Sequence, residues 1–180
     1  MSRLPQHLRV HEGAYPHFVT CTITYWIPVF CREDYFQVLV DSLNFCCEHK
    51  GLAVHGSVLM PNYFHMLCSQ QDGDISGVMR DIKRHTSIKI ADKLGRDGRT
   101  TWLAAMRNAG KTTGSVRVWT EAFHPEQVMT KPFFEQKLRY MHENPVRAGY
   151  VLDPCEWRYS SAGFYYRDAK CPVQITPIEW

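Results

Sequence analysis

Two runs of β-forming residues separated by a two-residue turn constrain this chain more than any other feature. Leu52 to Met60 is one run, Tyr63 to Ser69 is the other, and Pro61-Asn62 stands between them. A Pro-Asn pair favours a tight turn, and a turn that short forces its flanking strands to pair antiparallel. Helical patterns lie on either side. Phe36, Leu39, Val40, Leu43 and Cys47 recur at spacings of three and four within Arg32 to Lys50, and Gly51 closes that helix. Ile75, Val78, Met79, Ile82, Thr86 and Ile90 form a similar stripe within Asp74 to Leu94, with Arg80, Lys83, Arg84 and Lys93 off it. Phe18 to Ile27 is β-branched and aromatic and reads as a strand that Pro28 stops.

The second half is less regular. A short helical stretch is expected around Trp102 to Arg107, and a fourth strand over Ser115 to Glu121. A third main helix starts near Pro132, a good first helical residue, and ends near Asn144, because Pro145 disfavours helix at the residue before it. Val151 to Trp180, with Pro154, Pro172 and Pro177, reads as irregular. The order predicts an α+β sandwich, with helices packed on a mainly antiparallel sheet of four to five strands. A length of 180 residues suits one domain over 1–180, with a core of about 15–166 and a tail of 167–180.

Charge is the next constraint. The chain carries only +3 formally, yet residues 80–117 hold ten Lys and Arg against three Asp, a local +7 that leaves −4 elsewhere. That split points to an anionic partner for one region, and a solvated basic helix and loop is the plain alternative. Seven cysteines, an odd number without a C-x-x-C pair, argue against a disulfide framework and against a zinc knuckle. A reducing cytoplasm is the expected compartment. No run of 18 apolar residues occurs, so no membrane partner is expected.

Two segments carry chemistry. In the strand starting at Tyr63, alternate residues share a face, so Tyr63 and His65 point one way and Phe64 and Met66 the other. With Phe64 and Met66 in the core, His65 stands on the open sheet face. There it is either a divalent-metal ligand through a neutral ring nitrogen or a hydrogen-bonded surface histidine. In the third helix, Phe134, Leu138 and Met141 form the core stripe, and Tyr140 lies away from its centre. Tyr140 and Asn144 are four apart and share a face. A phenol beside an amide oxygen can be a nucleophile beside a metal ligand, or a half-exposed Tyr beside a capping Asn.

Taken together, Met60-Pro61-Asn62-Tyr63-Phe64-His65-Met66-Leu67 and Tyr140 followed by Asn144-Pro145-Val146-Arg147-Ala148-Gly149 resemble the single-tyrosine HUH transposases, in particular the REP-associated tyrosine transposases. Trp157-Arg158-Tyr159-Ser160-Ser161-Ala162 is similar to a further stretch of that family, and the resemblance spans roughly Tyr15 to Tyr166. It implies a ferredoxin-like sheet and a DNA transposase that binds DNA hairpins. It implies cleavage and rejoining of single-stranded DNA through a 5′-phosphotyrosine intermediate. It implies Mg²⁺ or Mn²⁺ on two His and an amide. Carried over residue by residue, Tyr140 is the nucleophile, His65 the second His and Asn144 the amide ligand. The expected setting is the cytoplasm of a bacterium, at the nucleoid, as a monomer or a homodimer.

The first His of the pattern is replaced by Tyr63, and a neutral phenol is a weak ligand for a hard dication. Three outcomes stay open. The metal is held by His65, Asn144, the DNA phosphate and water; or Glu121, His124, His142 or Glu143 substitutes; or the chemistry is lost and hairpin binding remains. In the basic segment, Lys83, Arg84, Lys89 and Arg107 are the expected phosphate contacts. Trp102 and Trp119 are either base-stacking residues or core.

Overall fold

The structure, a computed structural model, describes residues 8–9, 15–121 and 123–179. Its centre is a four-stranded antiparallel sheet in the order β3–β4–β2–β5, made of β2 (His17–Thr22), β3 (Leu52–Leu59), β4 (Tyr63–Gln70) and β5 (Glu126–Gln127). Helix α1 (Glu33–His49) joins β2 to β3, and α2 (Ile75–Arg96) follows β4. That strand order and the two βα crossings are the ferredoxin-like arrangement expected from the resemblance. The expected hairpin is present: Leu59 pairs with Phe64, and Met60 N donates to Tyr63 O at 2.8 Å across the turn. Gly51, with φ +62°, takes the left-handed position after α1 that a side chain would resist.

One face of the sheet is packed in the usual way. Val19, Cys21, Phe64, Met66 and Cys68 meet Leu39, Val40, Leu43, Val78, Met79 and Ile82 of α1 and α2 in one dry core. The other face is also covered, which corrects the expectation of an open surface. Helix α4 (Lys131–Arg147) lays Phe134, Leu138 and Met141 over Phe18, Val58 and Leu67. Those three sheet residues are apolar and would otherwise face water. A bulge between Val54 and Gly56 marks the contact. A Cβ at Gly56 would lie 2.5 Å from Leu138 Cδ1 and 3.1 Å from Met141 Cε, so any larger residue requires those side chains of α4 to shift.

Several boundaries differ from the sequence reading. Strand β2 stops at Thr22, and Thr24–Trp26 is a tight turn rather than strand. Tyr25 and Trp26 both have φ +57°. Left-handed backbone at a non-glycine residue costs roughly 1–2 kcal/mol each. Ser115–Glu121 is not a strand. It makes one isolated bridge, Ile23 to Trp119, and the edge position belongs to β5 instead. The helix around Trp102 extends over Thr100–Ala109 as α3. Helix α4 runs through Pro145 to Arg147, because proline's fixed φ is helical and only one N–H is forfeited. The segment after residue 150 is more ordered than expected. It holds α5 (Ala162–Arg167), Trp157 Nε1 donates to Leu59 O at 2.9 Å, and Val173 and Ile175 are buried in the core. Two short strands, β1 (Leu8–Arg9) and β6 (Ile178–Glu179), pair in parallel. No helix among the described residues is long and apolar enough to cross a membrane.

Candidate active site

The four residues Tyr63, His65, Tyr140 and Asn144 come together where α4 crosses β4. Tyr63 O–H donates to Asn144 Oδ1 at 2.9 Å. Asn144 Nδ2 donates to Tyr140 O at 2.7 Å, a link between successive turns of α4. The rings of His65 and Tyr140 are 5.6 Å apart, and those of Tyr63 and His65 are 5.0 Å apart. Tyr140 is 41% exposed, and its backbone carbonyl anchors the cluster.

His65 is only 7% exposed, beneath α4 rather than on an open face. Its Nδ1 shares a hydrogen bond of 2.8 Å with Thr20 Oγ1, and its ring stacks on Phe18 at 5.2 Å. Among the described residues nothing hydrogen-bonds its Nε2. Burial, helped by the Lys137 cation, pushes its pKa down to about 4. The ring is therefore neutral at pH 7, with a lone pair to offer. Burial pushes the Tyr63 phenol up from its ordinary value, as do the neighbouring Tyr140 and Tyr150. Tyr63 therefore keeps its proton, and that proton is given to Asn144.

Two cations outside the basic segment 80–117 flank this cluster. Lys137 Nζ lies 4.7 Å from the centre of the Phe18 ring and pairs with Glu126 at 2.6 Å. Arg147 Cζ lies 5.5 Å from the centre of the Tyr140 ring, at an exposed position. Lys137, Tyr140, Asn144 and Arg147 are spaced 3, 4 and 3 apart, one stripe of a single helix. That spacing was visible in the sequence. Pro145, however, predicts a helix end at Asn144, which puts Arg147 outside the helix.

The expected phosphate contacts lie elsewhere. Lys83, Arg84 and Lys89 are on α2, the layer across the sheet from α4, and Arg107 is on α3. Lys83 donates to Thr120 O at 2.6 Å, while Arg84, Lys89 and Arg107 are exposed. The structure does not bring these four to Tyr140. Trp119 is core: it is buried, and its Nε1 donates to Thr86 Oγ1 at 2.9 Å. Trp102 is half-buried under Arg99, whose Cζ is 5.2 Å from the ring centre. Cys21, Cys46 and Cys68 are buried as apolar filler, and Cys31 is exposed.

The proposed substitutes for the missing His fare poorly. Both nitrogens of His142 are engaged, with Ser161 Oγ at 2.8 Å and Tyr166 Oη at 3.2 Å. Glu121 pairs with Arg117 at 2.6 Å, His124 is exposed and Glu143 is half-buried. Among the described residues no group of three or more His, Cys, Asp or Glu side chains is placed to hold a metal ion.

A ferredoxin-like sheet that sets a tyrosine beside a histidine and an amide is the class of domain the resemblance led one to expect. The family model of IS200-like transposases matches residues 10–117, and the chain belongs to that family. It is similar to a REP-associated tyrosine transposase of Haemophilus influenzae, 24% identical over 147 residues, which cover 82% of this chain and 77% of that one. It also shares its fold with the solved structure of a REP-associated tyrosine transposase bound to a REP hairpin. That match has a TM-score of 0.64 and covers 98% of each chain at 15% identity.

Proposed function

We propose that this protein binds hairpin DNA and uses Tyr140 to break and rejoin the single strand beside the hairpin. The observation that carries this reading is the meeting of Tyr140 with His65 and Asn144, brought together from segments 75 residues apart, with Tyr140 the exposed member of the three. Membership of a transposase family and the hairpin-bound relative agree with it. In the step, Tyr140 Oη bonds to phosphorus and the P–O3′ bond breaks. The phenol proton passes to solvent, and the leaving oxygen takes up a proton to become a free 3′-OH. Attack of another 3′-OH on the phosphotyrosine reverses the step and restores the phenol. Arg147, over the Tyr140 ring, supplies positive charge where the phosphate would sit, and Lys137, one turn earlier, adds to it on leaving Glu126.

The Mg²⁺ or Mn²⁺ that the resemblance implies meets an incomplete donor set. His65 offers one neutral nitrogen. Asn144 Oδ1 is already accepting from Tyr63, and Tyr63 itself is a phenol held protonated. These residues do not fit a three-ligand site for a hard dication, and no step above runs through one.

A second reading follows from the same hydrogen bond: hairpin binding without cleavage, with Tyr63 closing the site on Asn144. A labelled hairpin with a single-stranded flank decides between them, incubated with Mg²⁺, Mn²⁺ or a chelator and run on a denaturing gel. A covalent protein–DNA adduct in the wild type that is absent in Tyr140→Phe supports cleavage. Hairpin binding without an adduct in any condition overturns cleavage and leaves the second reading. In that case Tyr63→His, which frees Asn144 Oδ1 and restores an imidazole, is expected to create a Mn²⁺-dependent adduct.

A further inference from the structure

Tyr25 and Trp26 are each 62% exposed, and both stand in left-handed backbone. Burial does not explain two large aromatic rings held at such a cost. The turn that holds them is nonetheless well tied. Trp26 N donates to Ile23 O at 2.9 Å, Thr24 N donates to Val118 O at 2.8 Å, and Asn62 Nδ2 donates to Trp26 O at 3.4 Å. Pro28 stiffens the exit. The turn lies beside the candidate active site. The Trp26 ring is 6.0 Å from that of Tyr63 at an interplanar angle of 72°, and Tyr63 leads through His65 to Tyr140. A row of rings thus runs from the exposed turn to the proposed nucleophile, with Arg147 at its far end.

We propose that Tyr25 and Trp26 are a stacking platform for unpaired bases of a single-stranded DNA flank, and that the platform sets which phosphate reaches Tyr140. This rests on the hairpin-binding and cleavage reading above and names the part of the substrate that reading left without a site. Exposed ring faces accept any base, because every base has a π-face, and Arg147, at the far end of the row, puts a cation beside Tyr140 for the phosphate that the stacked bases deliver there. A turn held rigid in advance loses little freedom when a base stacks on it.

The test uses the full chain and a hairpin selected for wild-type binding from a pool of random stems. That hairpin is prepared blunt and with a thymidine tail of about 10 nucleotides, within the usual span of one single-strand site. Fluorescence anisotropy is expected to show tighter binding with the tail. Trp26→Ala is expected to remove about tenfold of that increment and to leave the blunt hairpin unaffected. Trp26→Gly suits the left-handed backbone and should do the same without lowering the unfolding temperature, which separates a lost ring from a lost fold. Trp26→Phe should retain most of the increment. An equal tail increment in wild type and Trp26→Gly overturns the platform while the hairpin reading stands. If no hairpin is selected, the hairpin reading fails, and the thymidine tail as a free oligonucleotide still reads the platform. Equal binding of that oligonucleotide by wild type and Trp26→Gly overturns it there too.

Discussion

The two faces of the sheet are built to different ends. Toward α1 and α2, β2 and β4 bury Val19, Cys21, Phe64, Met66 and Cys68, with polar side chains of that face only at the strand ends, His17 and Gln70. Toward α4 the same strands present Phe18, Thr20, Tyr63 and His65, and the helix answers with Lys137, Tyr140 and Asn144. The first face excludes water over large side chains and carries most of the hydrophobic stabilisation. The second holds polar groups by hydrogen bonds, His65 with Thr20, and Asn144 with both Tyr63 and the Tyr140 carbonyl. A domain with stability vested in one face can hold reactive groups on the other. The sharpest way to break this division is Phe64→Ala. Phe64 is fully buried and meets Trp119 edge-on at 5.5 Å. Its truncation should cost about 3–5 kcal/mol in urea or guanidinium unfolding. A loss below about 1 kcal/mol would mean that the apolar face is not what holds the domain.

Acid is expected to act through the buried histidines. Besides His65, burial pushes His55 and His142 down to about 4. His55 is fully enclosed, with Nδ1 sharing a hydrogen bond with Thr176 O at 2.7 Å and Nε2 one with Ser69 Oγ at 2.9 Å. These groups are neutral when folded and titrate near 6.5 when unfolded, so between those values the unfolded chain binds more protons. Stability is therefore full above about pH 6.5 and falls as pH drops toward 4, by an amount of order 3 kcal/mol per histidine. Denaturant melts at pH 7, 5.5 and 4.5 measure the slope. His55→Leu should lower stability at pH 7 yet flatten the decline; an unchanged slope would remove His55 from this account. The lowered carboxyls of Asp34, Asp81 and Asp97 act only below their ordinary value of 3.8, outside this window.

The sequence made one of these faces easier to read than the other. Alternation in Tyr63 to Ser69 placed Phe64 and Met66 inward, and the spacing of Tyr140 and Asn144 put them on one face, as found. What alternation does not carry is which helix covers the remaining face. An apolar stripe on α4 states that the helix must be buried, not where, and the small residue at Gly56 that lets Leu138 and Met141 pack close carries no such label. His65 was accordingly expected in the open and is enclosed. Charge counting has a similar blind spot. It located a basic segment along the chain but not its layer, and α2 lies across the sheet from Tyr140. The composition of Tyr25 and Trp26 continues that of β2 and predicts strand; the reversal of φ leaves no mark in residue type, since glycine is absent there.

The polar face offers a smaller and more pointed test. Tyr63→Phe keeps the ring and removes one hydrogen bond to Asn144 Oδ1. The expected loss is about 1–2 kcal/mol, because the buried amide oxygen loses its donor. The same variant makes Asn144 Oδ1 available without adding a donor. Titration with Mn²⁺ followed by electron paramagnetic resonance should therefore show at most a slight gain over wild type, well below that of Tyr63→His. An equal gain in the two variants would show that the Tyr63 hydrogen bond, and not the lost imidazole, is what keeps a cation out.

The least effect on stability is expected where the effect on chemistry is greatest. Tyr140 is partly exposed, and its ring contacts, Phe18 at 6.3 Å, His65 and the Arg147 guanidinium, use the ring and not the hydroxyl. The link to Asn144 uses its backbone carbonyl. Tyr140→Phe keeps all of these. Its unfolding free energy should stay within about 0.5 kcal/mol of wild type, and hairpin affinity should not change, while the covalent adduct disappears. A substantial loss of stability would mean that the hydroxyl is structural and that this face, like the other, is mainly a packing surface. An unchanged stability with a lost adduct would place the hydroxyl among groups held for reaction and not for folding.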